Sequence, residues 1–264
     1  MLDLLRAWGM ALGVPPNDLR RLATPEDFAP LLHDAAGSRR MLVVIDDVWR
    51  LDDALAFLVG GPACAYLLTT RSPQIAMRFA HAEALRVPEL TEDDGIRLVA
   101  KMVPAAVRDG TDDVRAIVRA VGGLPLALAL MGRFLRVESH GGGERRLRAA
   151  INRLCSAGQR LRLEESLAPL ERPPSLAPGA PLSLRAAIKS SDEQLTANSR
   201  AALRALAMLP PKPNTFSEEA ALAITNADTA AVDALVDAGL LEVAAPGQYA
   251  LHQTVADYAR LVPY

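Results

Sequence analysis

Met41-Leu42-Val43-Val44-Ile45-Asp46-Asp47-Val48-Trp49 is the stretch on which the reading of this 264-residue chain turns. Five consecutive apolar residues run into two carboxylates. An unbroken apolar run of this length reads as a buried strand of a parallel sheet, expected here over 41–46. Acids at its carboxyl end stand at the rim where doubly wound sheets bind ligands. A nucleotide site on such a rim needs a phosphate-binding loop of the form G-x-x-x-x-G-K-[ST]. The only lysines, Lys101, Lys189 and Lys212, follow Ala100, Ile188 and Pro211, so residues 1–264 contain no such loop. Nor is there a G-x-G-x-x-G. The run Gly141-Gly142-Gly143 follows a helical stretch and reads as a turn.

Outward from this strand the pattern alternates. Upstream, Leu2, Leu5 and Trp8 or Gly9 share one face of a helix over 1–12, which Pro15-Pro16 ends. Thr24-Pro25 reads as the N-cap and first position of a helix over 25–35. Downstream, a short helix is expected near 52–58 and a second apolar strand over 63–70, ending Thr69-Thr70-Arg71. A helix over 73–80 and a short strand near 84–88 follow. Buried-type strands alternating with helices give a parallel α/β sheet. From about residue 90 the strands stop. Glu92–Met102, Asp112–Val121, Leu124–Val137 and 144–157 read as helices, a small domain over 91–165. Its end is basic, with eight arginines and two glutamates between Arg133 and Arg162. Pro169, Pro173, Pro174, Pro178 and Pro181 mark a linker over 166–182. Over 183–264, helices near 183–190, 196–208, 217–225 and 228–238, a hairpin from 240 to 251 and a final helix from Gln253 make a winged-helix arrangement.

Composition narrows the class. Half of the chain is hydrophobic but only 4% is aromatic, so the cores are built of Leu, Ala and Val. A net charge of −2 offers no general attraction to nucleic acid or to an anionic membrane. Cys64 and Cys155 do not make a disulfide framework, and Cys64 reads as a small buried residue. Such cysteine use fits a reducing, cytoplasmic setting. No apolar run approaches the roughly 18–20 residues of a membrane span. Asp3 and Arg6 among the first leucines do not read as a signal peptide.

Four groups of residues carry candidate chemistry. Asp46 and Asp47 are placed to hold Mg²⁺ and to orient an attacking water, or to cap a strand end as two solvated acids. Arg71, on the same rim, suits a forked contact to a γ-phosphate, or a surface pair with Asp46, Asp47 or Asp53. Gly122-Gly123-Leu124-Pro125 allows a close turn with a flat proline against a base, or plain helix packing with proline in the first turn. His252, where the hairpin meets a helix, suits a phosphate contact, or is a satisfied histidine.

Together these groups resemble the NB-ARC module of the STAND class of signalling ATPases, over nearly the whole chain. That class includes plant disease-resistance proteins, an apoptosis scaffold and bacterial regulators. Leu42-Val43-Val44-Ile45-Asp46-Asp47-Val48-Trp49 resembles the Walker B strand, and Tyr66-Leu67-Leu68-Thr69-Thr70-Arg71 the sensor-1 strand. Gly123-Leu124-Pro125-Leu126-Ala127-Leu128 matches the GLPLAL motif, and Leu251-His252-Gln253 falls where the family has Met-His-Asp. The resemblance implies that residues 1–90 are the later part of a P-loop NTPase domain without Walker A. The 91–165 helical, 166–182 linker and 183–264 winged-helix segments then follow. It implies ADP/ATP and Mg²⁺ as cofactors, with Asp46 on the metal, Asp47 on the catalytic water and Arg71 on the γ-phosphate. Gly123, Leu124 and Pro125 would lie at the base, and His252 at the ADP β-phosphate. Gln253 departs from the family's aspartate. The missing loop implies a fragment or a gene that lost it, with weak or no nucleotide binding and no meaningful turnover in place of the family's slow ATPase.

The implied role is a cytoplasmic regulatory switch. Its effector and repeat-sensor domains, or partner proteins, lie outside this chain, and activation would bring oligomers. A second reading is a DNA-binding winged-helix regulator. Residues 183–264 hold six Lys or Arg against nine Asp or Glu, which disfavours nucleic acid. A third reading is a nucleotide-independent scaffold that uses the basic segment.

Overall fold

The computed structural model describes residues 1–140, 143–165, 182–226 and 228–261. It divides into two compact units, the first ending at Leu85 and the second beginning at Arg86.

The first unit opens with three helices, α1 (Leu2–Leu12), α2 (Pro16–Arg20) and α3 (Pro25–Ala36). Gly13 ends α1 in the left-handed conformation (φ 95°), where its N–H reaches back to the carbonyls of Gly9 and Met10. The Pro15-Pro16 pair ends one helix and also starts the next, because Pro16 occupies the first turn of α2, where no amide donor is needed. Thr24 caps α3 as expected. Its hydroxyl accepts the Asp27 N–H while the Asp27 carboxylate accepts the Thr24 N–H at 2.9 Å. Leu5, Leu19, Phe28 and Leu32 form the buried centre of this unit.

The sheet of the first unit has two parallel strands, β1 (Leu42–Val48) and β2 (Ala65–Thr70), in the register Val44 to Leu67 and Ile45 to Leu68. The short helices α4 (Leu51–Leu55) and α5 (Pro73–Ala80) follow each strand. Both strands were expected to be buried, and they are covered on one side only. Val43, Ile45, Tyr66 and Leu68 are half-buried, while Leu42, Val44 and Leu67 on the alternate side are 65%, 55% and 52% exposed. An apolar run does not distinguish a strand covered on both faces from one covered on one. Cys64, expected to be buried, is half-buried beside β2. The expected strand near 84–88 does not form. A short 3₁₀ turn over His81–Glu83 leads into it, and Leu85 and Val87 are 89% and 90% exposed. Alternating apolar residues become a strand only where a neighbour completes the ladder.

In the second unit, α6 (Glu92–Met102) starts at a Thr91 cap and has the expected bounds. The next helix, α7 (Pro104–Ala120), begins earlier than Asp112 because two helical pieces run together across a break at Gly110. Then come α8 (Pro125–His140), α9 (Gly143–Leu154) and α10 (Ala157–Leu161). Two expectations lie outside the described residues: the turn at Gly141-Gly142 and, except for Leu182, the linker over 166–182. On either side of that gap, β3 (Glu164–Glu165) and β4 (Leu182–Ser183) pair antiparallel.

The remaining helices are α11 (Leu184–Asp192), α12 (Ala197–Leu206), α13 (Glu218–Thr225), α14 (Thr229–Asp237) and α15 (Gln253–Leu261). They surround an antiparallel sheet of order β5 (Phe216–Ser217), β7 (Gln248–Ala250) and β6 (Glu242–Ala245). The expected hairpin is β6–β7. One continuous core runs from Val99, Ile117, Leu128 and Met131 to Leu203, Leu235 and Tyr258. The helical part and the part bearing the hairpin therefore share their buried surface.

Candidate functional site

In the first unit the carboxylates stand on a β-bulge. The β1–β2 register slips between Ile45 and Val48, so Asp46 and Asp47 together face the position of Thr69. Asp47 takes a left-handed backbone conformation (φ 55°), which needs local support in a residue other than glycine. Thr69 supplies it. Its hydroxyl accepts the Asp47 N–H at 2.9 Å and donates to the Asp46 carboxylate. The neighbouring Thr70 hydroxyl donates to the Val48 carbonyl at 2.6 Å. Arg71 lies 3.5 Å from the Asp47 carboxylate, and its guanidinium sits over the Trp49 ring at 5.4 Å. The cap of α5 comes from Ser72 rather than from either threonine.

This donor set suits a hard cation. Mg²⁺ is commonly held by one or two carboxylates and completes its shell with water and phosphate oxygens. Among the described residues no cluster of three or more His, Cys, Asp or Glu side chains forms a closed metal cage. Two acids at a strand end match the open arrangement.

In the second unit, Gly122 and Gly123 both have positive φ, 55° and 72°. A Cβ on Gly123 would meet the Leu90 carbonyl oxygen at 2.2 Å, and one on Gly122 would meet His252 Nε2 at 2.7 Å. The turn thus brings backbone against Leu90 on one side and against an imidazole on the other. Leu90 N–H also donates to the Gly123 carbonyl at 3.1 Å. Leu124 is half-buried, and Pro125 is exposed in the first turn of α8, leaving its ring available as an apolar platform.

His252 is buried. The Thr254 backbone N–H donates to Nδ1 at 3.2 Å, and the Thr254 hydroxyl lies 2.8 Å from the same atom. An Nδ1 that accepts a hydrogen bond leaves the proton of the neutral ring on Nε2. Among the described residues Nε2 is the one buried side-chain nitrogen or oxygen without a hydrogen bond of ordinary geometry, its nearest backbone group being that of Gly122, which favours the protonated ring. Glu89 Oε1 stands 4.0 Å from it. Burial pushes the pKa of His252 down, and Lys212 adds to this. The Glu89 and Glu242 charges and the Gly122 backbone oppose it without reversing the direction.

Around this atom lies an ionic cluster. Lys212 Nζ is 2.7 Å from Glu89 Oε1 and 2.7 Å from Glu242 Oε1, and Arg86 pairs with the other oxygen of Glu242. Burial would raise the Glu89 carboxyl. The hydrogen bond and charge of Lys212 outweigh it and hold the group below the ordinary glutamate value.

Comparison with known proteins bears on this arrangement. The NB-ARC domain description matches residues 9–108. This stretch belongs to the NB-ARC family. The chain is also 28% identical to the regulatory protein AfsR of Streptomyces griseus over 262 residues, and 29% identical to AfsR of Streptomyces coelicolor over 264. In each case the match covers 98% of this chain and 24% of the relative, so the chain spans about a quarter of the length of these proteins.

The NB-ARC match contains the β1 carboxylates and Arg71 and stops before the glycine turn. Of the residues singled out from the sequence, Asp46, Asp47 and Arg71 come together in the first unit. Gly123, Leu124, Pro125 and His252 lie in the second unit, where the turn before α8 and the imidazole meet. Thr69 and Trp49 stand in the quoted strand segments, but their supporting roles need the bulge to be seen. Glu89, Lys212 and Glu242 carried no motif. The scarcity of lysine was the one signal that could have drawn attention to Lys212. No helix among the described residues is long and apolar enough to cross a membrane.

Proposed function

We propose that residues 1–264 are a STAND-type regulatory switch module whose state follows an ADP or ATP phosphate read by His252. The observation that carries this reading is the buried, unpartnered Nε2–H of His252, aimed at the turn that precedes Pro125. A buried donor without an acceptor costs roughly 1–3 kcal/mol, and a phosphate oxygen would relieve that cost. In this reading Asp46 holds Mg²⁺, Asp47 orients water and Arg71 reads the γ-phosphate. Arg71 is preorganised by Trp49, and its pairing with Asp47 is the contact that a phosphate would replace. Gly123 lets the backbone approach, and Leu124 and Pro125 supply the apolar surface for the base. When bound, the metal would neutralise phosphate charge.

The segments at 1–90, 91–165, 166–182 and 183–264 are the nucleotide domain, the helical domain, the linker and the winged helix of this proposal. Helices α12 to α14 with the β6–β7 hairpin support the last of these. The acids Asp228, Asp233 and Asp237 in and around α14 make duplex binding by that helix unfavourable. The relatives named as regulatory proteins are about four times longer than this chain. Signal input, output and assembly into oligomers are therefore assigned to chain or partners beyond these residues.

Because residues 1–264 contain no lysine-bearing phosphate loop, the expected ADP affinity of this chain alone is weak and its turnover negligible. Calorimetric titration with ADP measures this, and a sub-micromolar Kd overturns it. In the complete regulator, Arg71→Ala and His252→Ala are expected to alter the output. Unchanged output in both would favour a nucleotide-independent scaffold.

A further inference from the structure

Two nitrogen donors face one oxygen atom. Glu89 Oε1 takes the Lys212 ammonium at 2.7 Å and stands 4.0 Å from the His252 Nε2. That distance is too long for a hydrogen bond. Glu89 lies in the segment entering α6, Lys212 between α12 and β5, and His252 after β7, so three separated parts of the second unit meet here. We propose that the Glu89 carboxylate is a built-in occupant of an anion position, displaced when a phosphate oxygen binds, and that Lys212 supplies the positive charge of that position beside the N–H donor of His252. The proposal rests on His252 reading phosphate and adds two residues to that role.

The charge balance supports displacement over simple addition. With Glu89 in place, Arg86 and Lys212 are matched by Glu89 and Glu242, and the cluster has no net attraction for an anion. With Glu89 moved aside, Arg86 and Lys212 face Glu242 alone and the cluster carries one positive charge. Glu89 is only half-buried, so it can turn outward without leaving a charge stranded in the core. Lys212 is fixed by its backbone, whose N–H donates to the Leu251 carbonyl at 2.9 Å, directly before His252. Lys212 and His252 therefore stay together when Glu89 leaves. Glu242 holds Lys212 equally closely, and Arg86 retains it.

The test uses the full 264-residue chain with inorganic pyrophosphate and, separately, ADP. Binding is read from the imidazole resonances of His252, assigned by their loss in His252→Gln. Glu89→Gln keeps the shape and removes the charge, and is expected to tighten pyrophosphate binding on the order of tenfold over the wild type. Glu242→Gln removes the same charge from Lys212 but leaves Glu89 in place, and is expected to change affinity less than about threefold. Adding Lys212→Met to Glu89→Gln removes the gain. Glu89→Ala, with its fold checked by the amide spectrum, must agree with Glu89→Gln. Stronger binding of ADP than of pyrophosphate identifies a nucleotide as the source of the phosphate; equal binding identifies a free phosphoanhydride.

Equal gains from Glu89→Gln and Glu242→Gln would show a general charge effect and overturn the displacement. Binding by the wild type that Glu89→Gln leaves unchanged overturns it too, while the reading of His252 stands. Binding that persists in His252→Gln, read there from the backbone amide resonances of Gly122 and Gly123, overturns the role of His252 and this proposal with it. Failure of Glu89→Gln to bind at about 10 mM pyrophosphate overturns the proposal whatever the wild type does.

Discussion

Gly122 and His252 are in contact so close that a single methyl group on the glycine would stand 2.7 Å from the Nε2 atom. The turn and the imidazole are therefore shaped to each other. Gly122→Ala is expected to destabilise the chain by about 2–3 kcal/mol, part from the left-handed backbone and part from the clash. In a His252→Ala background the clash is gone, and the same substitution should cost only about 1 kcal/mol. Gly123→Ala should cost more than Gly122→Ala in either background, because its obstacle is the Leu90 backbone. Urea denaturation of the set measures these differences. A Gly122→Ala cost that ignores His252 would contradict the contact.

The same histidine makes stability depend on pH in a defined direction. Its pKa is lowered on folding, chiefly by burial, so the unfolded chain binds the proton more readily. The stability contribution is fully present above the unfolded value, about pH 6.5, and is lost as the pH falls through that value towards the lowered folded one. The slope approaches, but does not exceed, about 1.4 kcal/mol per pH unit. The groups facing the ring set its position: Glu89, Lys212, Glu242, the Gly122 backbone and Thr254. Glu89 adds a separate loss at lower pH, as it is protonated below the ordinary glutamate range. Denaturation midpoints of the wild type and His252→Gln, compared from about pH 8 to pH 5.5, should diverge only below about 6.5.

Thr69 is expected to matter through the acids that it supports. Thr69→Val keeps the shape and removes both the acceptor for the Asp47 N–H and the donor to Asp46. Because the group is exposed, the expected loss is about 1 kcal/mol. Thr69→Ser should recover most of it, as measured by thermal unfolding. Equal losses for valine and serine would mean that the methyl group, not the hydroxyl, holds the bulge.

The open face of the sheet gives a contrasting expectation. Val44 and Leu67 are about half exposed, so Val44→Lys or Leu67→Lys in this chain should change stability by less than about 0.5 kcal/mol. Leu32 is fully buried, and Leu32→Ala should cost about 2–5 kcal/mol. A large loss from Val44→Lys in denaturant titration would show that this face is covered in solution.

Several features could be read directly because they depend on neighbours in sequence. Thr24 and Pro25 start α3 through a local cap, and α6 has its expected bounds because Thr91 and the apolar spacing act within one helix. The strand expected over 41–46 was legible for the same reason, although it runs through both acids to Val48, as was the order of the later helices and the hairpin. The segment at 84–88 was not legible. Its residues suit a strand, but no neighbour pairs with it.

The sequence by itself determined where Asp46, Asp47, Arg71, Pro125 and His252 sit along the chain, and the kind of chemistry their side chains offer. Only the tertiary structure decided their surroundings. It placed Thr69 beneath both acids, Trp49 under Arg71, and Glu89 with Lys212 beside a buried imidazole. The reason is physical: side-chain type is local, whereas burial, hydrogen-bond partners and the balance of charge depend on residues as far apart as Glu89 and His252.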